Sequence, residues 1–338
     1  MVMNKKKTPT YVKGRVPAAA VIIPGIFLLF GIMIFSIGYG VADIDSKTIW
    51  SSIVSFDKNN LSHQIMHELR FPRVLGGAMI GAGFAVCGAI MQAITRNPLA
   101  DSGILGINAG AGIMIAVCFV FMPSLSFTGI AFMSFLGAGM GMAMVIGISL
   151  MTRKNSLQII LIGTAITTFL TALSEGLIIR SGIGQDLAFW YAGGLAGARW
   201  NQVIIVGICF VLAMAMSVML SPSITALSMG EDIAASLGIN TKTVKLLCFL
   251  TVTLLAGSSV AMVGNIGFIG IVIPHITRKL VGTDYRALIP CSATLGALLV
   301  VLADLGARSI NPPHEIPAAA IIAAIGVPFF LLLARKKG

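Results

Sequence analysis

Apolar residues in this chain come in blocks. Ten stand out, at residues 17–40, 73–95, 103–122, 127–151, 156–179, 201–220, 245–263, 266–281, 287–307 and 316–334. A helix needs about 20 apolar residues to cross a hydrocarbon core, and most of the blocks meet that length. The period-two alternation of a membrane barrel is absent. The pattern predicts an all-α polytopic membrane protein, a compact bundle of about ten transmembrane helices, with residues 1–338 forming a single transmembrane domain. The eighth block is the shortest and contains Pro274, which is expected to kink or end its helix. The longest polar stretch is 41–72. A second interruption, 221–244, separates blocks six and seven.

Composition agrees. Charged residues are only 10% of the chain and the mean hydropathy is +0.97, too little charge to coat a soluble protein of this size. With the basic tail 1–16 placed in the cytoplasm, 16 of the 23 Lys and Arg fall on cytoplasmic segments and 7 on external ones. That asymmetry favours both termini inside, and an even number of spans keeps the basic end "ARKKG" there. The net charge of +11 is thereby explained without nucleic acid. The N-terminal block is too long for a signal-peptide core and reads as a retained first span. Gly77 and Gly81, Gly106 and Gly110, and Gly137 and Gly141 are small-xxx-small pairs that let helix backbones approach closely. Cys87, Cys118, Cys209, Cys248 and Cys291 all fall in apolar blocks without metal spacing and read as packing residues.

Several chemistries are missing. No GxxxxGK[ST] offers a phosphate loop, no HExxH a zinc site, and no nucleophile elbow a hydrolase. No catalytic residue and no cofactor is expected. His63 and His67 are four apart and could share a helix face, but loop histidines are commonly just solvated, so no metal site is expected. Charges inside spans usually mark function, because each costs about 2.5–3.5 kcal/mol at mid-bilayer on insertion scales. Glu175 and Asp304 qualify, both toward the external ends of their blocks, and Asp304 can pair with Arg308 one helical turn away. A proton-driven transporter usually needs a richer buried set, which points to an energy source outside the chain.

The stretch "MGEDIAASLGIN" (229–240) has another character. Ser228 and Glu231 have capping-box spacing. Glu231 and Asp232 suit the positive end of a helix dipole. Ile233 and Leu237 make a small apolar ridge, and Gly238 suits a left-handed C-cap. A short helix over 229–237 is expected, on the cytoplasmic side within the 221–244 loop. Helices lying in the lipid interface tend to carry Lys and Arg; this one carries acid, which fits a protein partner better.

"GEDIAASLGIN" resembles the cytoplasmic coupling helix of ABC importer permeases, with Glu231, Ala234, Ala235 and Gly238 matching its E-A-A-x-x-x-G pattern approximately. "LRFPRVLGGAMIGAGFAVCGAIMQAITRNPLADSGILGINAGAG" (69–112), "GNIGFIGIVIPHITR" (264–278) and "ADLGARSINPPHEIPAAAIIAAIGVPFFLLLARKK" (303–337) resemble the FecCD-type permeases of iron–siderophore, haem and cobalamin importers. The likeness runs in order from about residue 45. It implies a subunit of the bacterial plasma membrane that forms half of a translocation pore, the other half coming from a second permease copy or a paralogue. It also implies a cytoplasmic ABC ATPase dimer that hydrolyses ATP and receives the coupling helix (Ser228, Glu231, Asp232, Ile233, Ala234, Ala235, Leu237, Gly238), and a solute-binding protein docking outside. Arg70, Arg73 and Arg308 match the family's external arginines that face acids on that protein. Asn97 and Pro98 in "RNPLAD", with Pro274, His275 and Asp304, match positions near the pore or gate; Asn97–Pro98 also reads as a plain turn and His275 as a structural residue. Phe189, Trp190 and Tyr191 read as an interfacial helix. A ferric siderophore is the expected cargo, with haem or cobalamin as alternatives. An ion-coupled transporter, and a membrane enzyme or sensor, remain as competing classes.

Overall fold

A computed structural model of the chain describes residues 16–40, 46–151, 156–182, 192–312 and 314–335. Phe189, Trp190 and Tyr191 lie outside the described residues. The described helices are α1 (Ala19–Gly38), α2 (Ser46–Val54), α3 (Leu61–Ile65), α4 (Phe71–Thr95), α5 (Ile107–Phe121), α6 (Phe127–Met151), α7 (Ser156–Ser181), α8 (Trp200–Met229), α9 (Glu231–Ser236), α10 (Thr241–Val263), α11 (Ile269–Val281), α12 (Tyr285–Ser309) and α13 (Ala318–Arg335). One π-helical turn, Met66–Arg70, joins α3 to α4. No strand occurs among the described residues.

Each apolar block coincides with one helix. Seven helices are long and apolar enough to cross a membrane, and Ile107–Phe121 and Ala318–Leu331 are shorter apolar ones. The α11 helix is 13 residues long. Two boundaries differ from expectation. Block six does not stop at 220: α8 runs 30 residues to Met229, because Pro222 sits in it without breaking it. The 221–244 interruption is therefore mostly helix, reduced to α9 and its flanking turns. Pro274 likewise lies inside α11 rather than ending it. The carbonyl it leaves without an intrahelical donor, that of Gly270, accepts a hydrogen bond from Gln92 Nε2 at 2.9 Å instead.

Helix α4 occupies the centre, packed against α8, α10, α11 and α12. Glycine makes this possible. A side chain on Gly81 would run into the backbone of Gly296 on α12, and one on Gly88 into Gly270 on α11. Gly110 of α5 and Gly106 at its N-cap make the same close approach to Gly137 and Gly141 of α6, so two of the three glycine pairs in the sequence face each other. Without a hydrophobic driving force between helices in lipid, such backbone-to-backbone packing supplies much of the cohesion. The outer faces of α1, α7 and α8 carry exposed Phe27, Phe30, Leu161, Phe169, Ile208 and Met219, as a lipid-facing surface requires.

The bundle has two distinct ends. At one, α8 leads into α9, and Tyr285 N–H at the start of α12 donates to Thr225 Oγ1 of α8 at 2.9 Å. Val16 N–H, just before α1, meets the Leu280 carbonyl of α11 there at 3.0 Å. At the other end the last turns of α1 and α12 meet the first turn of α4.

Candidate functional site

The two ends hold most of the polar chemistry, arranged in opposite ways. At the α4–α12 end, Arg73 donates from Nε to both carboxylate oxygens of Asp304 at 2.9 and 3.1 Å and from Nη2 to Oδ1 at 2.8 Å. Its Nη1 reaches Glu315 Oε1, just before α13, at 2.8 Å. Arg308 approaches the other face of Asp304 at 3.2 Å, as the four-residue spacing predicts. It also donates to the Ser36 and Tyr39 carbonyls of α1 at 3.2 and 3.0 Å. Arg70 donates to the Ile37 and Gly38 carbonyls at 2.8 and 2.9 Å. These are the carbonyls a helix C-terminus leaves without intrahelical donors. Arg70 and Arg308 therefore cap α1, and Arg73 ties α4 to α12.

Arg70, Arg73 and Arg308, the expected docking residues, are 7, 9 and 8% exposed. The reason is their helical setting, which turns each guanidinium inward onto Asp304 or the end of α1. His63 and His67 are structural too. His63 accepts from Asp57 N–H at Nδ1 (3.1 Å), which leaves Nε2–H to donate to Ser51 at 3.0 Å. Both ring nitrogens are used. His67 sits among Phe56, Phe71 and Trp200.

At the opposite end α9 spans six residues, shorter than the expected 229–237. The capping box is absent. Ser228 lies in the last turn of α8, and its hydroxyl donates back to the Thr225 carbonyl at 2.6 Å; Gly230 occupies the N-cap instead. The C-terminus is as expected. Gly238 has φ +78°, its N–H bonds the Ala235 carbonyl at 2.9 Å, and Ile239 N–H bonds that of Ala234 at 3.0 Å. That pair of bonds is the Schellman closure, which leaves glycine in the left-handed region. Ala234 is buried against the bundle, whereas Glu231, Asp232, Ala235 and Leu237 are exposed, Leu237 by 65%. Ile233 projects one turn before Leu237. Glu231 also pairs with Lys245 of α10 at 2.6 Å.

Away from the arginine end, the turn after α4 is closed by Asn97, whose Oδ1 accepts from Leu99 N–H at 3.0 Å. Pro98 follows in the same turn. Gln92 Oε1 accepts from Arg278 Nη2 at 2.9 Å, and the His275 ring stands edge-on to Phe329, centroids 5.8 Å apart. Asp101 is buried with a carboxylate oxygen directed at Gly270. Among the described residues no group of three or more His, Cys, Asp or Glu could hold a metal ion.

The FecCD transport family model matches residues 27–336. The chain belongs to the FecCD transport family. This permease is 45% identical over 322 residues to the iron(3+)-hydroxamate import system permease FhuB of Bacillus subtilis, covering 95% of this chain and 84% of that one. It is 41% identical over 308 residues to the iron-uptake system permease FeuB of the same organism, covering 90% and 92%. In three dimensions it resembles a chain from an inward-facing ABC transporter assigned to the metal-chelate type. There the TM-score is 0.78 at 29% identity, covering 94% of this chain and 99% of that one. The permease is thus a multi-pass subunit of a bacterial inner-membrane ABC importer. It is not an enzyme, and ATP hydrolysis resides in a separate subunit.

Sequence reasoning missed Glu315, Lys245 and Gln92. Glu315 and Gln92 pair with residues more than 180 positions away, beyond any local pattern. Lys245 was within reach, because a cation one loop beyond an acidic first turn is a candidate partner for it.

Proposed function

We propose that this permease moves a ferric siderophore of the hydroxamate class inward, driven by a cytoplasmic ABC ATPase dimer that grips α9. The carrying observation is the geometry of α9. It is a small rigid helix, closed by the Gly238 turn, anchored by Ala234, and presenting Ile233 and Leu237 beside Glu231 and Asp232. An apolar knob rimmed by acid suits a groove on a protein partner. A rigid joint between α8 and α10 transmits a partner's movement to both helices. In this reading the α9 end faces the cytoplasm, in keeping with the asymmetry of Lys and Arg, and a second permease copy or paralogue completes the pore. The cargo class is supported by the name of the 45%-identical relative.

Cargo arrives at the arginine end, handed over by a solute-binding protein. Arg70, Arg73, Arg308 and Asp304 shape that surface from beneath by fixing α1 against α4 and α12. Asn97, Pro98, Pro274 and His275, near the other end, line the region that opens when α9 moves.

The test is reconstitution of the permease with its ATPase and binding protein in proteoliposomes. ATP-driven uptake of radio-iron as a neutral ferric trihydroxamate is expected, with Leu237→Asp lowering uptake at least about tenfold while ATP hydrolysis continues. Normal coupling in that variant would remove α9 from the role.

A further inference from the structure

One charged group on a spanning helix is used by neither end. Glu175 is exposed on α7, which packs on α5 and α6 with one side and leaves the rest open. It lies six residues before Ser181, about 9 Å from the helix end at 1.5 Å per residue. Arg180, five residues on, projects about 140° around the helix from it. No ion pair to Glu175 occurs among the described residues. Glu175 also does not stand alone. Thr164, Thr168 and Thr171 precede it at i−11, i−7 and i−4, which places all four on one ridge. Thr164, Thr168 and Glu175 are exposed and Thr171 is half-buried. Leu161 and Ile179, exposed as well, stand at the two ends of this ridge, whereas the exposed Phe169 and Leu173 lie to one side of it. The open surface of α7 thus carries a ridge that is polar from Thr164 to Glu175 and apolar at its two ends, beside an apolar flank. The flank suits lipid. The ridge does not, since ionisable residues in spans face the bundle interior or a water-filled cavity.

We infer that the Thr164–Thr168–Thr171–Glu175 ridge faces the water-filled passage and that Glu175 selects cargo by charge. The inference rests on the transport reading above and narrows it. Three hydroxamates balance the charge of ferric iron, so a ferric trihydroxamate is neutral, or cationic when it carries a free ammonium. Ferric citrate and haem bear carboxylates. A fixed carboxylate near one mouth of a low-dielectric passage concentrates cations and repels anions by tenfold or more. The ridge therefore admits neutral and cationic ferric complexes and disfavours anionic ones.

Two measurements on the full reconstituted importer test this. In the first, Glu175→Lys and Glu175→Gln are compared with the unmodified importer for uptake of a neutral and an ammonium-bearing ferric trihydroxamate delivered by the same binding protein. Glu175→Lys is expected to lower the cationic-to-neutral uptake ratio about tenfold, and Glu175→Gln by about threefold, with uptake of the neutral complex within twofold. An unchanged ratio overturns the role of Glu175 alone. No uptake of either complex by the unmodified importer overturns the cargo reading instead. In the second, Glu175→Cys is treated with a membrane-impermeant, charged thiol reagent against the background of the native cysteines. Labelling in the assembled importer is expected; absence of labelling places the ridge against lipid or a dry partner surface and overturns the proposal.

Discussion

The arginine end and the α9 end use the same residue types for opposite purposes. At the first, Arg73, Arg308 and Asp304 are buried and share hydrogen bonds with one another and with the end of α1. At the second, Glu231 and Lys245 are partly exposed, with side chains 46% and 26% accessible, and the apolar residues beside them point outward. Buried charges that satisfy one another lock helices together, because opening the cluster strands each charge in a poor solvent. Exposed charges cost little to re-pair and leave the helix available to a partner. In the function proposed above, one end is a latch and the other a handle. A lever needs both: a fixed point where α1, α4 and α12 cannot slip, and a free point where an outside force is applied.

The largest effect is expected from breaking the latch. Asp304→Ala leaves Arg73 and Arg308 without their shared carboxylate, and removing one partner of a buried pair costs about 3–5 kcal/mol. The variant is expected to accumulate poorly in membranes and to melt far below the parent in mild detergent. A thermal midpoint within a few degrees of the parent would show that Glu315 and the α1 carbonyls suffice to hold the arginines. Next comes the handle. Leu237→Asp alters a side chain that is 65% exposed, so stability should change by no more than about 0.5 kcal/mol. Uptake should nevertheless fall at least about tenfold, the loss expected if roughly 1.4 kcal/mol of coupling is removed. The contrast between the two variants is itself the check: if both lose uptake only in proportion to lost protein, the ends do not differ in kind.

The sequence revealed these two ends unequally, for a physical reason. Helix-forming blocks and the glycine pairs were readable because membrane length and close approach leave a local imprint: 245–263 became Thr241–Val263 and 287–307 became Tyr285–Ser309. The Gly238 turn was readable because only a left-handed position makes glycine so favourable there. The capping box was misread because S-x-x-E spacing cannot tell a helix start from the last turn of the preceding helix, and α8 continued past Pro222. The burial of the arginines was hidden from the sequence for a related reason. A charge at the end of an apolar block looks exposed in one dimension. Whether it reaches solvent or turns inward depends on which helix ends lie beside it, and the carbonyls of Ser36, Ile37, Gly38 and Tyr39 lie more than 30 residues away in sequence.

A smaller effect is expected at Gly238. A Cβ there would meet nothing within 4 Å, so Gly238→Ala introduces no clash and isolates the cost of the left-handed conformation, about 1–2 kcal/mol. The closure of α9 should loosen, and coupling should weaken more than overall stability does. Hydrogen exchange at the Gly238 and Ile239 amides would report it, with faster exchange confined to that turn. Equal acceleration along α10 would mean that the turn supports the bundle rather than the handle alone.

The smallest effect sharpens the comparison most. Lys245→Met removes the cation that pairs with Glu231 and keeps a long apolar side chain at the start of α10. Both groups are partly exposed, so the pair should contribute only about 0.2–1 kcal/mol and less at high salt. The midpoint should move by a degree or two at low ionic strength and hardly at all in concentrated salt. Coupled uptake should persist, since Ile233 and Leu237 still project and Ala234 still anchors α9. The Asp304→Ala loss should be far less sensitive to salt, because screening by ions does not reach a buried cluster. Measuring both variants across one salt series separates the latch from the handle. A Lys245→Met loss as large and as salt-independent as that of Asp304→Ala would mean that the α9 pair is a second latch, and that the force from a partner must enter elsewhere.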